Sequence, residues 1–209
     1  LARAVEGDPY ARRYVAQSWT VCQFFWGDLS EPKLARALEY HETGDMAGSR
    51  FNAPVLGIYY GMGWGTQRDI AKALSLFMTG RQLDSLDAFA GEEGIVDSTP
   101  DERGKAFVFR QLVEATMTSR LNHEWPRIVT RSTDSALMIA GIDACTLRVE
   151  IEESTDAAID KKAAATLIGT LLAGYPTQGL PCAYADGGSY RLFFQFQLHK
   201  PEYSPFERR

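Results

Sequence analysis

The sequence predicts an α+β protein, with an N-terminal α-solenoid of two helical-hairpin repeats and then an antiparallel sheet with helices on one face. Three observations carry this. Apolar residues recur at helical spacing through the first 90 residues, punctuated by glycine. The segment EPKLARALEYHETG (Glu31 to Gly44) lines up without a gap on QRDIAKALSLFMTG (Gln67 to Gly80). Beyond Pro126 the hydrophobic period changes from helical to alternating. Two domains follow: a helical one over 1–90 and an α+β one over 91–209.

The organising stretch is Asn52 to Gly80, NAPVLGIYYGMGWGTQRDIAKALSLFMTG. Leu56, Gly57 and Tyr60 recur at helical spacing, and Gly61, Gly63 and Gly65 stop that helix by allowing backbone angles closed to other residues. Asp69 opens a second run with apolar Ile70, Ala71, Ala73, Leu74 and Phe77. Small residues on both helices (Gly57, Ala71, Ala73) let two backbones approach, which gives an antiparallel hairpin. In the repeat, Leu34 matches Ile70, Ala37 matches Ala73, Leu38 matches Leu74, and Gly44 matches Gly80. The offset (71 − 35) is 36 residues, in the range where a fixed period signals a solenoid. Gly7 to Trp19 supplies the first helix of the earlier hairpin.

The segment LGIYYGMGWGTQRDIAKALSLF resembles the Sel-one-like repeat, a relative of the tetratricopeptide repeat, through Leu56, Gly57, Tyr60, Gly63, Gly65, Asp69 and Ala73. Gly7 and Ala11 fit the opening of an earlier copy, whereas Val15, Ala16 and Trp19 stand where Leu, Gly and Tyr are usual. About five extra residues around Cys22 to Trp26 lengthen that copy. The resemblance covers roughly residues 5–80 and implies a non-enzymatic adaptor that binds another protein.

Further along, Arg81 to Ala90 (Leu83, Leu86, Phe89) reads as a capping helix and Gly91 to Ser98 as a linker. Thr99 is an N-cap, with Pro100, Asp101 and Glu102 in the first turn of a helix that continues through Phe107, Phe109, Leu112, Val113 and Met117 to Leu121. Trp125-Pro126 ends it. Arg127 to Arg131 and Ala136 to Ala140 are short strands either side of a turn at Ser132 to Ser135. Thr146 to Glu152 alternates, with Leu147, Val149 and Ile151 opposite Arg148, Glu150 and Glu152. Thr155 caps a helix over Asp156 to Ala173 with stripe Ile159, Ala163, Leu167 and Leu171. Cys182 to Ala185 and Tyr190 to Leu198 flank the hairpin signal Asp186-Gly187-Gly188, and in the last strand Leu192, Phe194, Phe196 and Leu198 share one face. The tail is polar. The strand, helix, strand order after Thr146 is faintly similar to the C-terminal domain of TonB and TolA, which implies an envelope scaffold as an alternative.

A hydrophobic content of 45% with 23% charged residues describes an ordinary globular chain. A net charge of −5 with no basic stripe argues against nucleic acid, and no apolar run approaches the roughly 20 residues of a bilayer span. The chain begins at Leu1 and not Met, which implies that a leader or upstream segment has been removed. Cys22, Cys145 and Cys182 lack metal-site spacing. Cys145 and Cys182 can bridge in an exported protein, and three buried free thiols fit as well. The expected compartment is periplasmic or exported, otherwise cytoplasmic.

No catalytic, metal or cofactor residue is assigned. His41-Glu42 and His123-Glu124 do not continue to HExxH, and His41, His123 and His199 read as surface or cap histidines. GMGWG, Gly61 to Gly65, follows a helix and precedes no Lys, so it is a turn and not a phosphate loop. The cluster Glu150, Glu152, Glu153 and Asp156 lacks the sharp Gly turn of a calcium loop. A hydrolase joining Glu150 to His123 is the rival from another class. Surface remains. Phe51, Pro54, Ile58 and Met62 line the second side of their helix, with Tyr10, Arg13, Gln17 and Val21 beside them in the first repeat. This groove either receives a partner segment or is filled by the α+β half. Filling moves binding to Trp26 and Trp64 in the inter-helix turns. The expected partner is another protein, bound by a bacterial envelope inhibitor or immunity protein.

Overall fold

After a single turn, α1 (Ala2–Val5), Asp8 accepts a hydrogen bond from the Ala11 backbone N–H (3.0 Å) and starts α2 (Pro9–Trp26). The helix runs two turns past Trp19, which absorbs the extra residues around Cys22, and stops at Gly27 in the left-handed conformation (φ 66°). It is followed by α3 (Glu31–Thr43), α4 (Ala53–Met62) and α5 (Ile70–Arg81). This computed structural model describes residues 1–81, 86–124, 135–157, 159–182 and 191–199.

Helices α2 with α3, and α4 with α5, form two antiparallel hairpins whose matching positions do matching jobs. A Cβ on Gly44 would lie 3.3 Å from the carbonyl of Pro9, and one on Gly80 would lie 2.5 Å from Cγ of Pro54. Each glycine therefore lets the end of the second helix close on the start of the first. Ala37 and Ala73 are both fully buried. Thr43 and Thr79 both donate through Oγ1 to the carbonyl four residues back, Glu39 (2.8 Å) and Ser75 (2.9 Å). Leu34 is buried and Ile70 half-buried against the same core. Tyr60 joins the two pairs: its hydroxyl donates to Glu42 (2.5 Å), and Lys72 Nζ sits 3.6 Å from its ring centroid.

Two details differ from the glycine pattern expected of α4. Gly63 (φ 72°) is the residue that stops the helix, whereas Gly61 lies inside it and leaves room for Leu112. Asp69 does open α5, accepting from the Lys72 backbone N–H (2.9 Å).

A short helix, α6 (Asp87–Glu92), lies where the sequence placed the capping helix and runs into the expected linker. The expected linker contains Ile95, which is buried. Thr99 then opens α7 (Pro100–His123) with a full capping box. Glu102 accepts from the Thr99 backbone N–H (2.7 Å), and Thr99 Oγ1 accepts from the Glu102 N–H (3.3 Å). Ala106, Val108, Phe109, Leu112, Val113, Met117 and Leu121 are all completely buried, so α7 is apolar around most of its circumference. A helix of that kind is a core helix. It packs on α2, α4 and α5 with one side and on the sheet with the other. One hydrophobic cluster therefore runs from Leu34 in α3 to Leu198 at the end of the chain's last described strand.

The sheet has the order β2-β1-β3, antiparallel throughout, from β1 (Ser135–Asp143), β2 (Val149–Ser154) and β3 (Arg191–His199). Met138 pairs with Phe196, Ala140 with Phe194 and Ile142 with Leu192, and all six are buried. Between Ile139 and Ala140 the register shifts, because β2 carries Glu152 as an extra residue. The apolar face meets α7 and α8 (Lys161–Leu172), so the helices lie on one face as expected.

The structure corrects three readings here. Leu147 is in the left-handed region (φ 57°) in the β1–β2 turn, so β2 starts at Val149 and not at Thr146. Asp160 caps α8, accepting from the Ala163 N–H (2.9 Å), while Thr155 accepts from the Leu137 N–H (2.9 Å) beside β1. The later start turns the helix so that Ala164, Ile168 and Leu172 are buried, one residue beyond the expected stripe. The strand read at Arg127 to Arg131, the stop at Trp125-Pro126, most of Cys182 to Ala185, the turn at Asp186-Gly187-Gly188 and the tail lie outside the described residues.

Cys145 and Cys182 form a disulfide (Cα–Cα 5.9 Å) that ties the β1–β2 turn to the segment after α8. It closes a loop of 37 residues, which in the chain-entropy account stabilises the fold by roughly 4 kcal/mol. Cys22 is a free, half-buried thiol. Among the described residues no helix is long and apolar enough to cross a membrane.

Candidate functional site

Helix α7 decides which of the eight sequence candidates face solvent. It fills the groove between the helical pairs, so Ile58 is 3% exposed and unavailable to a partner, and Met62 is half-buried. Trp64, read as exposed in a turn, is buried too. Its ring meets Tyr59 edge-on at 5.6 Å and lies 5.7 Å from Phe24. The two-residue excursion after Gly63 folds the indole back on α2, where it closes the core end of the hairpin. Trp64 in an exposed turn is a correction, and so is the offer of Ile58 and Met62 to a partner, although a groove filled by the 91–209 half was the other outcome expected. Arg13 is committed internally, donating to Asp45 (2.9 Å) with its guanidinium 5.0 Å from the Tyr14 ring centroid.

Tyr10, Gln17, Phe51 and Trp26 remain exposed. Trp26 meets His123 edge-on at 5.8 Å, where α2 ends beside the last turn of α7. Phe51 is 70% exposed at the entry to α4, under the Arg50 guanidinium (4.9 Å). The sequence reading missed Tyr14 and Phe25, which join Tyr10 and Val21 on the outer face of α2. Their spacing, four and then eleven and fifteen residues after Tyr10, was the signal.

Two titratable side chains of the helical pairs, His41 and Tyr59, are tied up inside. His41, read as a cap or surface histidine, is buried and joins α2, α3 and the start of α4. Asn52 Nδ2 donates to the His41 carbonyl (2.7 Å), so Asn52 Oδ1 is the acceptor for His41 Nδ1–H (3.0 Å). Burial pushes the His41 pKa down and keeps the ring neutral. Nε2 then accepts from Thr20 Oγ1 (2.8 Å), and Thr20 accepts from the Tyr59 hydroxyl (2.9 Å). Tyr59 has its pKa pushed up to about 12 by burial, so it is a donor at all ordinary pH. This Tyr-Thr-His-Asn chain is closed on itself, with every member buried.

Among the described residues no three His, Cys, Asp or Glu side chains are grouped as metal ligands would be. Glu150 and Glu152 both accept from Arg191, at 3.2 Å for Glu150, on the sheet face opposite to Ile151. His123 belongs to α7, which packs on the other face. Glu150 and Glu152 thus lie on the sheet face opposite to the one that α7, the helix of His123, packs on. Compared with protein-family models, curated proteins and solved structures, the chain matches none of them.

Proposed function

We propose that the chain is a non-enzymatic protein-binding module, built on a short stack of Sel-one-like helical pairs, that acts on a partner in the bacterial envelope as an inhibitor or immunity protein. The observation that carries this reading is where the exposed large apolar side chains lie. Among the described residues, Leu1, Val5, Tyr10, Tyr14, Val21, Phe25, Trp26 and Phe51 lie in the first 51 residues, against Val96 and Phe193 elsewhere. Such concentration on one half marks an interaction surface. The matched jobs of Gly44 with Gly80 and Thr43 with Thr79 support a repeat stack. The Cys145–Cys182 disulfide supports an oxidising compartment. In-cell photocrosslinking from position 26 or 51 tests it. One defined protein adduct is expected, reduced at least tenfold by Phe51→Ser when formed from position 26 and by Trp26→Ser when formed from position 51, and the absence of any protein adduct sinks the reading.

The envelope-scaffold alternative also has an observation behind it. The second half runs strand, strand, helix, strand, and β3 is at the sheet edge among the described residues. A partner adding a strand beside β3 would crosslink from Gln195 and not from Trp26.

A further inference from the structure

Helix α2 has a second apolar face that none of the described residues covers. At 100° per residue, Tyr10, Tyr14, Gln17, Ser18, Val21 and Phe25 fall within an arc of roughly 100°. All six are exposed, Tyr10 and Tyr14 by more than 60%. The opposite arc holds Ala16, Thr20 and Gln23, which are buried against α3 and α4. The outward arc carries no Asp, Glu, Lys or Arg. The two arginines beside it are occupied within the chain: Arg13 by Asp45, and Arg12 by the Ala4 carbonyl (3.1 Å) and Thr43 (3.0 Å).

The order of side chains along this arc says what fits it. Measured from the midpoint between Gln17 and Ser18, Tyr10 and Phe25 are equidistant, and so are Tyr14 and Val21. A two-fold axis through that midpoint would set each aromatic against an apolar residue of the second copy. Gln17 would meet Ser18 twice, amide to hydroxyl. An isologous contact demands this self-complementarity, and a heterologous partner has no reason to impose it. A face without charge also brings no like charges together when two identical copies meet. The area is adequate for a reversible contact: six such side chains remove on the order of 500 Å² per copy, about 1,000 Å² in total.

We infer that the outward face of α2 is a two-fold interface on which a second copy of this chain docks antiparallel. This goes beyond the binding reading above: it assigns Tyr10, Tyr14, Val21 and Phe25 to a second copy and leaves Trp26 and Phe51, where that reading is tested, to a different protein.

Sedimentation equilibrium of the pure chain is the test. The mass should rise with concentration from one chain to two. Tyr14→Glu, placed at a 61% exposed position, should weaken association at least tenfold while far-UV circular dichroism and thermal midpoint stay as in the parent. Val21→Glu should do the same. For orientation, Tyr14→Cys and Val21→Cys chains, each carrying Cys22→Ser, are mixed under mild oxidant. The mixed disulfide should outweigh either self-pair. A chain that stays monomeric at about 1 mM overturns the proposal and leaves the face to another protein. A dimer that survives both Glu variants, or that crosslinks mainly Tyr14→Cys to itself, overturns it as well.

Discussion

Where α3 faces α2 the chain carries His41, and 36 residues on (77 − 41), where α5 faces α4, it carries Phe77. The two positions occupy the same place in their hairpins. Across from Phe77 stands Gly57, where a Cβ would come within 2.9 Å of the ring. Across from His41 stands Ala16, whose carbonyl shares the Thr20 hydroxyl with the imidazole. A phenyl ring packs on a glycine in one pair, and an imidazole shares a hydroxyl with a backbone carbonyl in the other. The place in the hairpin is the same in both pairs. The chemistry is not: one junction is dry packing, and the other is a closed polar chain through Tyr59, Thr20, His41 and Asn52. A shared backbone frame fixes the position of such a contact and leaves the source of its stability free.

The polar junction should break hardest when only one member is removed. Asn52→Leu leaves the His41 Nδ1–H and the His41 carbonyl without partners in a buried place, at a cost of about 3 kcal/mol. Urea denaturation measures it. Replacing the set together, with Thr20→Val, His41→Phe, Asn52→Leu and Tyr59→Phe, should cost clearly less than the sum of the single changes, because of the groups in this chain only the residue-41 backbone carbonyl then loses its partner. The dry junction should break by crowding instead. Gly57→Leu drives a side chain into Phe77 and should cost about 1–3 kcal/mol. An unchanged thermal midpoint in that variant would show that α4 and α5 do not meet as described.

Acid should distinguish the two junctions next. His41 has a folded pKa below its unfolded value of 6.5, so the unfolded chain binds the extra proton first. Its contribution is complete above about pH 6.5 and declines as the pH falls towards the folded value. Glu93, half-buried with its pKa pushed up by burial, runs the other way above its unfolded value of 4.5. The quantity to read is thus the parent minus the His41→Phe variant. That difference should shrink from pH 7.5 to 5.5, and a flat difference would place a charged imidazole in the core.

Much of this comparison was legible beforehand, because the gapless match of residues 31–44 with 67–80 fixes which positions correspond. The N-cap at Thr99 and the alternation of β3 were legible for the same reason: each is a local pattern with a local cause. His41 was misread because the polar partners that bury it, Thr20, Asn52 and Tyr59, come from two other helices and a helix cap. Whether Ile58 meets a partner or the α+β half was left open because no local pattern says that α7 returns to cover α4, and Trp64 was offered as surface because Phe24, which it packs on, belongs to the distant α2. The start of α8 was missed by several residues since Thr155 and Asp160 are both acceptable caps, and only the Leu137 N–H, from another strand, claims Thr155.

The smallest expected effect sharpens the comparison most finely. Thr43 and Thr79 make the same bond to the carbonyl four residues back, and both are exposed, so water replaces it readily. Thr43→Val and Thr79→Val should each lie within about 0.5 kcal/mol of the parent. Thr43 alone also accepts from Arg12 (3.0 Å), which ties the end of α3 back to the start of α2. Any excess cost of Thr43→Val over Thr79→Val therefore reports that tie. Carried out in an Arg12→Ala background, the excess should vanish. If it persists there, the two threonines differ for a reason other than the arginine, and the matched ends of the two hairpins are less alike than their glycines suggest.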